Sequence, residues 1–277
     1  MNIVHTHLGH ILPPDEDIPL KERFKYAKKE LVKDIKKFSK EVTTTEDFHE
    51  EIGSLLMKDG ELKVEWKFEN QEDIEKFNYS SDKVWNEGYS ECKLEASNRG
   101  TALFKGELCT EAPETGRVEK AGWCTMKSRR EYKSFRREYY NYDYWDNFTH
   151  FVIKLRGDGR MYILNLHCPE THDFSWGNMF SYPLYTHGGP YWQLTKIPFS
   201  KFFMNVQGRI QDRQWPLAIR SESSCRVSSV GITLQDRTNG PFQLELDWMG
   251  VYYDKGHGEK FAYENYKMPI PRTGAYV

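Results

Sequence analysis

The chain has 277 residues and a formal charge of −2, from 39 basic and 41 acidic side chains. No run approaches the 18 or so consecutive apolar residues of a membrane-spanning helix, and the balanced charge argues against a dedicated nucleic-acid binder. Hydrophobic residues make up only 38%, with a mean hydropathy of −0.76, yet 15% of the chain is Phe, Trp or Tyr. Disordered chains are poor in aromatics, and each buried ring removes roughly 150–250 Å² from water, so the composition describes a folded, β-rich protein.

Taken in chain order, Pro13 and Pro14 precede a helical pattern from Pro19 to Val42, in which Leu20, Phe24, Leu31, Ile35, Phe38 and Val42 fall three, four or seven apart. Pro19 suits the first turn, and Asp15 to Asp17 suit its positive end. Between Lys21 and Glu41 stand nine basic and four acidic residues, so the polar face is strongly positive, with Lys28, Lys29, Lys33, Lys36 and Lys37 at its centre. Such a helix docks on its own domain, on a partner, or on an anionic membrane surface. A second short helix is expected after Thr44, with Asp47 at capping-box spacing, ending near Gly60.

From about Leu62 the period becomes two. Phe151, Ile153 and Leu155 alternate with Val152, Lys154 and Arg156; after Gly157-Asp158-Gly159, Tyr162, Leu164 and Leu166 alternate with Met161, Ile163 and Asn165. This predicts a hairpin. Further strands are predicted at Lys63–Phe68, Thr101–Leu108, Tyr191–Ile197 and Val227–Leu234, and at Phe242–Trp248, where polar Gln243, Glu245 and Asp247 alternate with apolar partners. Many short strands with few helices define an all-β antiparallel sandwich or jelly roll with an N-terminal helical extension. The expected organisation is a helical extension over 1–60, a sandwich over 61–255 with an aromatic and basic insert near 127–148, and an irregular tail over 256–277.

Catalytic and cofactor motifs are wanting. Gly157-Asp158-Gly159 and Gly256-His257-Gly258 carry Tyr162 and Phe261 where a dinucleotide loop needs its third glycine. His187-Gly188-Gly189-Pro190 has no GxSxG nucleophile elbow to serve, and His49-Glu50 lacks the second histidine of a zinc protease. His167, Cys168, His172 and Asp173 match no standard metal spacing. No enzyme, cofactor or metal site is expected. The five cysteines (Cys92, Cys109, Cys124, Cys168 and Cys225) form no CxxC pair, and five reduced thiols are expected.

The tract from Tyr132 to Phe151 is the unusual segment. Arg129, Arg130, Arg136 and Arg137 lie beside or among Tyr139, Tyr140, Tyr142, Tyr144 and Trp145. Tyr, Trp and Arg are the residues enriched in protein-interface hot spots. The same mix stacks single-stranded RNA bases, and it also suits a loop that covers a sheet with its own aromatics. Together with the basic helix, this tract is the candidate partner-binding surface.

Three phrases carry a family resemblance. They are His150-Phe151-Val152 through Arg156-Gly157-Asp158-Gly159-Arg160-Met161-Tyr162, Tyr191-Trp192 through Lys196-Ile197-Pro198-Phe199 to Phe202, and Gly231-Ile232 through Asp236 with Asn239 to Trp248. In this order they resemble the complex I intermediate-associated protein family, over roughly Leu62 to Tyr253. The resemblance implies a galactose-binding-like jelly roll related to carbohydrate-binding modules. It also implies a non-enzymatic part in building respiratory complex I, in the mitochondrial matrix and peripherally on the inner membrane. The implied partners are membrane-arm assembly intermediates and other assembly factors. A targeting sequence is expected of such a protein, but the first 20 residues hold no Arg and include Asp15-Glu16-Asp17. The alternative is a carbohydrate-binding module using a concave sheet face with Gln243, Glu245 and Asp247. Family-motif residues such as Ile197, Phe199, Phe242, Leu244, Leu246 and Trp248 are read as core positions, not as a site.

Overall fold

The computed structural model describes residues 20–43, 57–97, 99–114, 121–129, 134–136, 145, 147–168, 178–206, 209–212, 214, 216–217, 227–259 and 261–263. They fall into two units, one holding the helix α1 (Leu20–Thr43) with a 3-10 turn at Ser134–Arg136, the other holding the strands. The predicted helix of the N-terminal segment is therefore present, one residue later at each end. Lys40 in its last turn complements the negative end of the helix dipole. The second short helix expected after Thr44 lies largely outside the described residues.

The strand unit runs β1 (Leu62–Lys67), a single helical turn α2 (Gln71–Ile74), β2 (Phe77–Ser81), β3 (Glu91–Ser97), β4 (Thr101–Leu108), β5 (Cys124–Ser128), β6 (His150–Arg156) and β7 (Met161–Cys168). It continues with β8 (Asn178–Tyr185), β9 (Gln193–Pro198), β10 (Phe203–Val206), β11 (Arg209–Ile210), β12 (Ser229–Leu234) and β13 (Gly240–Tyr252). One sheet has the order β3-β4-β13-β6-β9 with β1 also on β13; the other has β11-β10-β8-β7-β12-β5-β2. The ladders are antiparallel, and the chain passes between sheets at β1–β2, β2–β3, β4–β5, β5–β6, β6–β7, β8–β9, β9–β10 and β12–β13. This is a jelly-roll sandwich, as the two-residue period required.

Its core is the meeting of the two inner faces. Phe104, Phe151, Ile153, Leu155, Leu244 and Leu246 come from one sheet, and Met126, Tyr162, Leu164, Leu166, Ile232 and Leu234 from the other, all essentially inaccessible to solvent. Phe242 packs against Phe104 in its own sheet at 5.1 Å and against Tyr162 of the opposite sheet at 6.5 Å between ring centroids. Burial of each such side chain contributes about 1.5–3 kcal/mol.

The predicted hairpin at Gly157-Asp158-Gly159 is corrected by the pairing. β6 pairs with β13 and β9, whereas β7 pairs with β12 and β8, so the turn is an arch from one sheet to the other. Alternation reported correctly that each strand has one buried face, but those faces oppose each other across the core instead of lying side by side. The arch is held by Arg160, whose Nε and a terminal nitrogen donate to the two oxygens of Asp236 at 2.8 and 2.6 Å. The Asp158 carboxylate accepts from Tyr162 Oη at 3.1 Å and from the backbone N–H of Gln243 at 2.8 Å. Gly157 is required there, because a Cβ would sit 2.2 Å from Cβ of Thr186.

Candidate functional site

On α1 the side chains of Lys28, Lys29, Lys33, Lys36 and Lys37 are all exposed, and so are the apolar Phe24, Leu31, Val32, Ile35, Phe38 and Val42. Lys33 approaches Glu30 at 3.9 Å, a surface pair worth well under about 1 kcal/mol. Phe38 meets the ring of Phe135 edge-on, at 5.9 Å between centroids. The structure thus brings the basic helix together with one residue of the aromatic tract. Phe135 takes a left-handed backbone, φ 56°, which few non-glycine residues adopt.

The rest of the tract divides sharply. Arg129 is exposed and donates from Nε to Oδ1 of Asn78 at 2.9 Å. Arg136 closes the 3-10 turn. Arg130, Arg137, Tyr139, Tyr140, Tyr142 and Tyr144 lie outside the described residues. Trp145 does not belong to a partner surface. It is wholly buried, stacked on Phe199 at 5.9 Å and flanked by Phe151 at 5.8 Å and Trp66 at 6.3 Å. At the end of the insert the aromatics turn inward: Phe148 and Phe151 are core residues too. For these positions the self-covering reading is the correct one, because a large ring gains most where it fills the space between the sheets.

The outer face of the first sheet carries a network of charge. Lys154 Nζ lies 2.6 Å from Asp247, and Arg156 pairs with Glu245, which also accepts from Thr101 Oγ1 at 2.7 Å. Glu245 is only 3% exposed. The sugar-binding set of Gln243, Glu245 and Asp247 is corrected accordingly: the middle carboxylate is spent holding the sheet together and has no oxygen to offer a ligand. Beside this network stands a feature the sequence reading missed. Tyr191 is 83% exposed, Leu194 55% and Trp192 40%. Lys154 Nζ and the Arg156 guanidinium sit 5.4 and 5.2 Å from the Trp192 ring centroid, fixing the indole at the surface by cation–π attraction. Gln193 donates to the carbonyl of Tyr185 at 2.9 Å, which joins the end of β8 to the start of β9. The available signal was the Tyr191-Trp192 pair directly after the Gly188-Gly189-Pro190 turn.

No cluster of three or more His, Cys, Asp or Glu suited to a metal ion occurs among the described residues. His167 and Cys168 are consecutive on β7 and so point to opposite faces, while His172 and Asp173 lie outside the described residues. An open depression of about 430 Å³ is lined by Glu91, Lys93, Lys105, Glu107, Pro241 and Gln243, with no histidine on its walls. No helix among the described residues is long and apolar enough to cross a membrane.

Two histidines are held neutral. Burial, with Lys127 nearby, pushes His167 down to about 3, and burial, with His257 and Lys196, also lowers His150. The unfolded chain takes up these protons near pH 6.5 but the fold refuses them, so stability is complete above that pH and declines in acid. We expect the melting temperature to fall between pH 7 and 5.5, as stability drops by up to about 1.4 kcal/mol per pH unit for each excluded proton once the pH is below about 6.5. A His167→Gln variant should flatten the curve; an identical slope would show that His167 titrates freely in the fold.

The strand unit is a jelly-roll β-sandwich with exposed aromatic side chains, and the helical unit carries a row of exposed lysines. Residues 66–246 match the model of the complex I intermediate-associated protein 30 family, and the chain belongs to that family, as the three motif phrases anticipated. It is 47% identical over 227 residues to the probable mitochondrial complex I intermediate-associated protein 30 of Caenorhabditis elegans, covering 82% of this chain and 64% of that one. It is 39% identical to the Drosophila melanogaster protein of that name, covering 78% and 71%, and 41% identical to the mouse protein, covering 76% and 62%. Each of these relatives is named as mitochondrial. The chain thus spans under two thirds of the nematode and mouse relatives. Among solved structures, a family 11 carbohydrate-binding module of Clostridium thermocellum in complex with a tetrasaccharide aligns at TM-score 0.45 and 13% identity, over 73% of this chain and 100% of that one.

Proposed function

We propose that this chain is a non-enzymatic assembly factor that binds and stabilises intermediates of mitochondrial respiratory complex I. Membership of a family whose members carry that association in their names supports the reading. The observation on the molecule itself that carries it is the exposed Tyr191, Trp192 and Leu194 at the head of β9, with the indole held beside Lys154 and Arg156. Tyr and Trp held rigidly at a surface bury large area at low entropic cost, which is what protein hot spots do. The chain acts in the matrix, against the inner membrane, on membrane-arm subunits and together with other assembly factors. Arg129, Arg130, Arg136, Arg137 and the neighbouring tyrosines add a second contact. The lysines of α1 are drawn to an anionic leaflet by about 1 kcal/mol for each one near the surface.

Co-purification separates these elements. Changing Tyr191 and Trp192 together to alanine should reduce partner capture at least tenfold while the folded signal stays. Reversing charge at Arg136 and Arg137 should weaken capture without unfolding the sandwich. Undiminished capture by the first variant would remove the aromatic patch from the interface, and by the second, the arginine tract.

A further inference from the structure

We infer that Cys92 and Cys124 are a peroxide-responsive dithiol that closes into a disulfide between the two sheets. Cys92 lies on β3, the edge strand of one sheet, and Cys124 begins β5 in the other. The Cys92 thiol reaches across the gap and donates to the carbonyl of Ser80 on β2 at 3.2 Å. In the β2–β5 ladder Ser80 stands opposite Thr125 and Ser81 opposite Cys124, so this thiol arrives beside its counterpart. The strands β3 and β5 approach within 8 Å between Cα atoms. A disulfide spans about 4.4–6.8 Å between Cα atoms, a separation that strands this close can reach.

The two thiols interact directly, and their environments assign them different parts. Contact with Cys124 holds the Cys92 thiol below the ordinary range, whereas contact with Cys92 and burial push the Cys124 thiol up. Cys92 is half-buried on an edge strand, where a small oxidant can reach it; Cys124 is wholly buried. Cys92 is therefore the attacking sulfur, and its thiolate is the reactive form. It attacks one oxygen of hydrogen peroxide, the O–O bond breaks, and a sulfenic acid forms on Cys92 with release of one water. The Cys124 sulfur then displaces that hydroxyl, the S–S bond forms, and the Cys124 proton leaves with it as a second water. Both sulfurs are oxidised by one electron pair in total, and the peroxide is reduced by the same pair. The product pins edge strand β3 to the facing sheet across a loop of 31 intervening residues, read from positions 93 to 123.

The test uses the purified full chain, treated with hydrogen peroxide, alkylated under denaturing conditions, and digested for mass spectrometry without reduction. A cross-linked peptide pair joining Cys92 to Cys124 should accumulate, migrate with monomer on a non-reducing gel, and vanish with dithiothreitol. With Cys124→Ser, dimedone should trap the sulfenic acid on Cys92 and no linked pair should appear. Recovery of both cysteines alkylated, of Cys92 as sulfinic acid beside an alkylated Cys124, or of the link only in dimers would overturn the inference. Should the variant fail to fold, the wild-type peptide map alone decides between these results.

Discussion

Trp145→Ala is expected to cost about 3–5 kcal/mol of stability, a large part of the roughly 5–15 kcal/mol that holds a domain folded. The indole is fully buried and meets Trp66, Phe151 and Phe199 between 5.8 and 6.3 Å, so its removal strips ring contacts from residues of β1, β6 and the turn after β9. The cavity is lined by rigid strands that cannot collapse into it, and both lost transfer energy and lost dispersion contacts count. Thermal or urea unfolding measures the effect directly. Tyr191→Ala is the control, because that ring is 83% exposed and its loss should leave the transition unmoved. Near-native stability in Trp145→Ala, with partner capture abolished, would put Trp145 at an interface and contradict the core placement.

Asp82→Ala carries the second large effect. The Asp82 carboxylate is completely buried, yet it faces no cation among the ion pairs of the described residues. It accepts instead from the N–H of Ser90 at 2.8 Å, the hydroxyl of Ser90 at 3.1 Å, the N–H of Gly122 at 2.7 Å and the N–H of Trp123 at 3.4 Å. One side chain thereby ties the end of β2 to the loops that lead into β3 and β5. Alanine would leave these donors buried and unpaired, each at about 1–3 kcal/mol, and a total loss of roughly 3–5 kcal/mol is expected. Gly88 lines the same spot: a Cβ there would lie 2.1 Å from Asp82 Oδ2, so Gly88→Ala should destabilise as well. Denaturant titration of both variants checks the account. A loss below about 1 kcal/mol for Asp82→Ala would mean that water replaces the carboxylate, and that the knot is not a fixed point of the fold.

These two residues also show where the sequence is legible. The period-two runs of β4, β6, β7 and β13 are strong because each buries one face, and the three-four spacing of α1 is legible because its apolar residues share one stripe. The edge strands β2 and β3, FNYSS and ECKLEAS, mix polar and apolar residues, since an edge exposes more of both faces, and no pattern announces them. Pairing is not encoded in alternation, which is why the β6–β7 turn reads as a hairpin and proves to be an arch. Asp82-Lys83 looks like an ordinary surface dipeptide; only the convergence of loops distant in sequence turns its carboxylate into a buried acceptor. Glu245 deceives in the same way, as its place among polar neighbours says nothing of the Arg156 and Thr101 that enclose it. Phe135 and Trp145 belong to one aromatic tract, and composition cannot tell the exposed ring from the one that enters the core.

The family is legible for a different reason. Motif phrases such as Asn239-Gly240-Pro241-Phe242 combine a turn with the start of a long central strand, and β13 pairs with β1, β4 and β6. Substitution there disturbs three neighbours at once. The surface is under no such geometric restraint, so Trp192 and Leu194 stand out as an exposed apolar pair beside Lys154 and Arg156 only when the strands are in place.

The central claim, that this chain holds intermediates of complex I, is tested most directly by affinity capture of the tagged chain from mitochondria, with quantitative mass spectrometry against an untagged control. Enrichment of complex I membrane-arm subunits and other assembly factors, sharply reduced by the Tyr191 and Trp192 double variant, is the predicted result. Recovery of the folded chain with no complex I subunit above the control would contradict it.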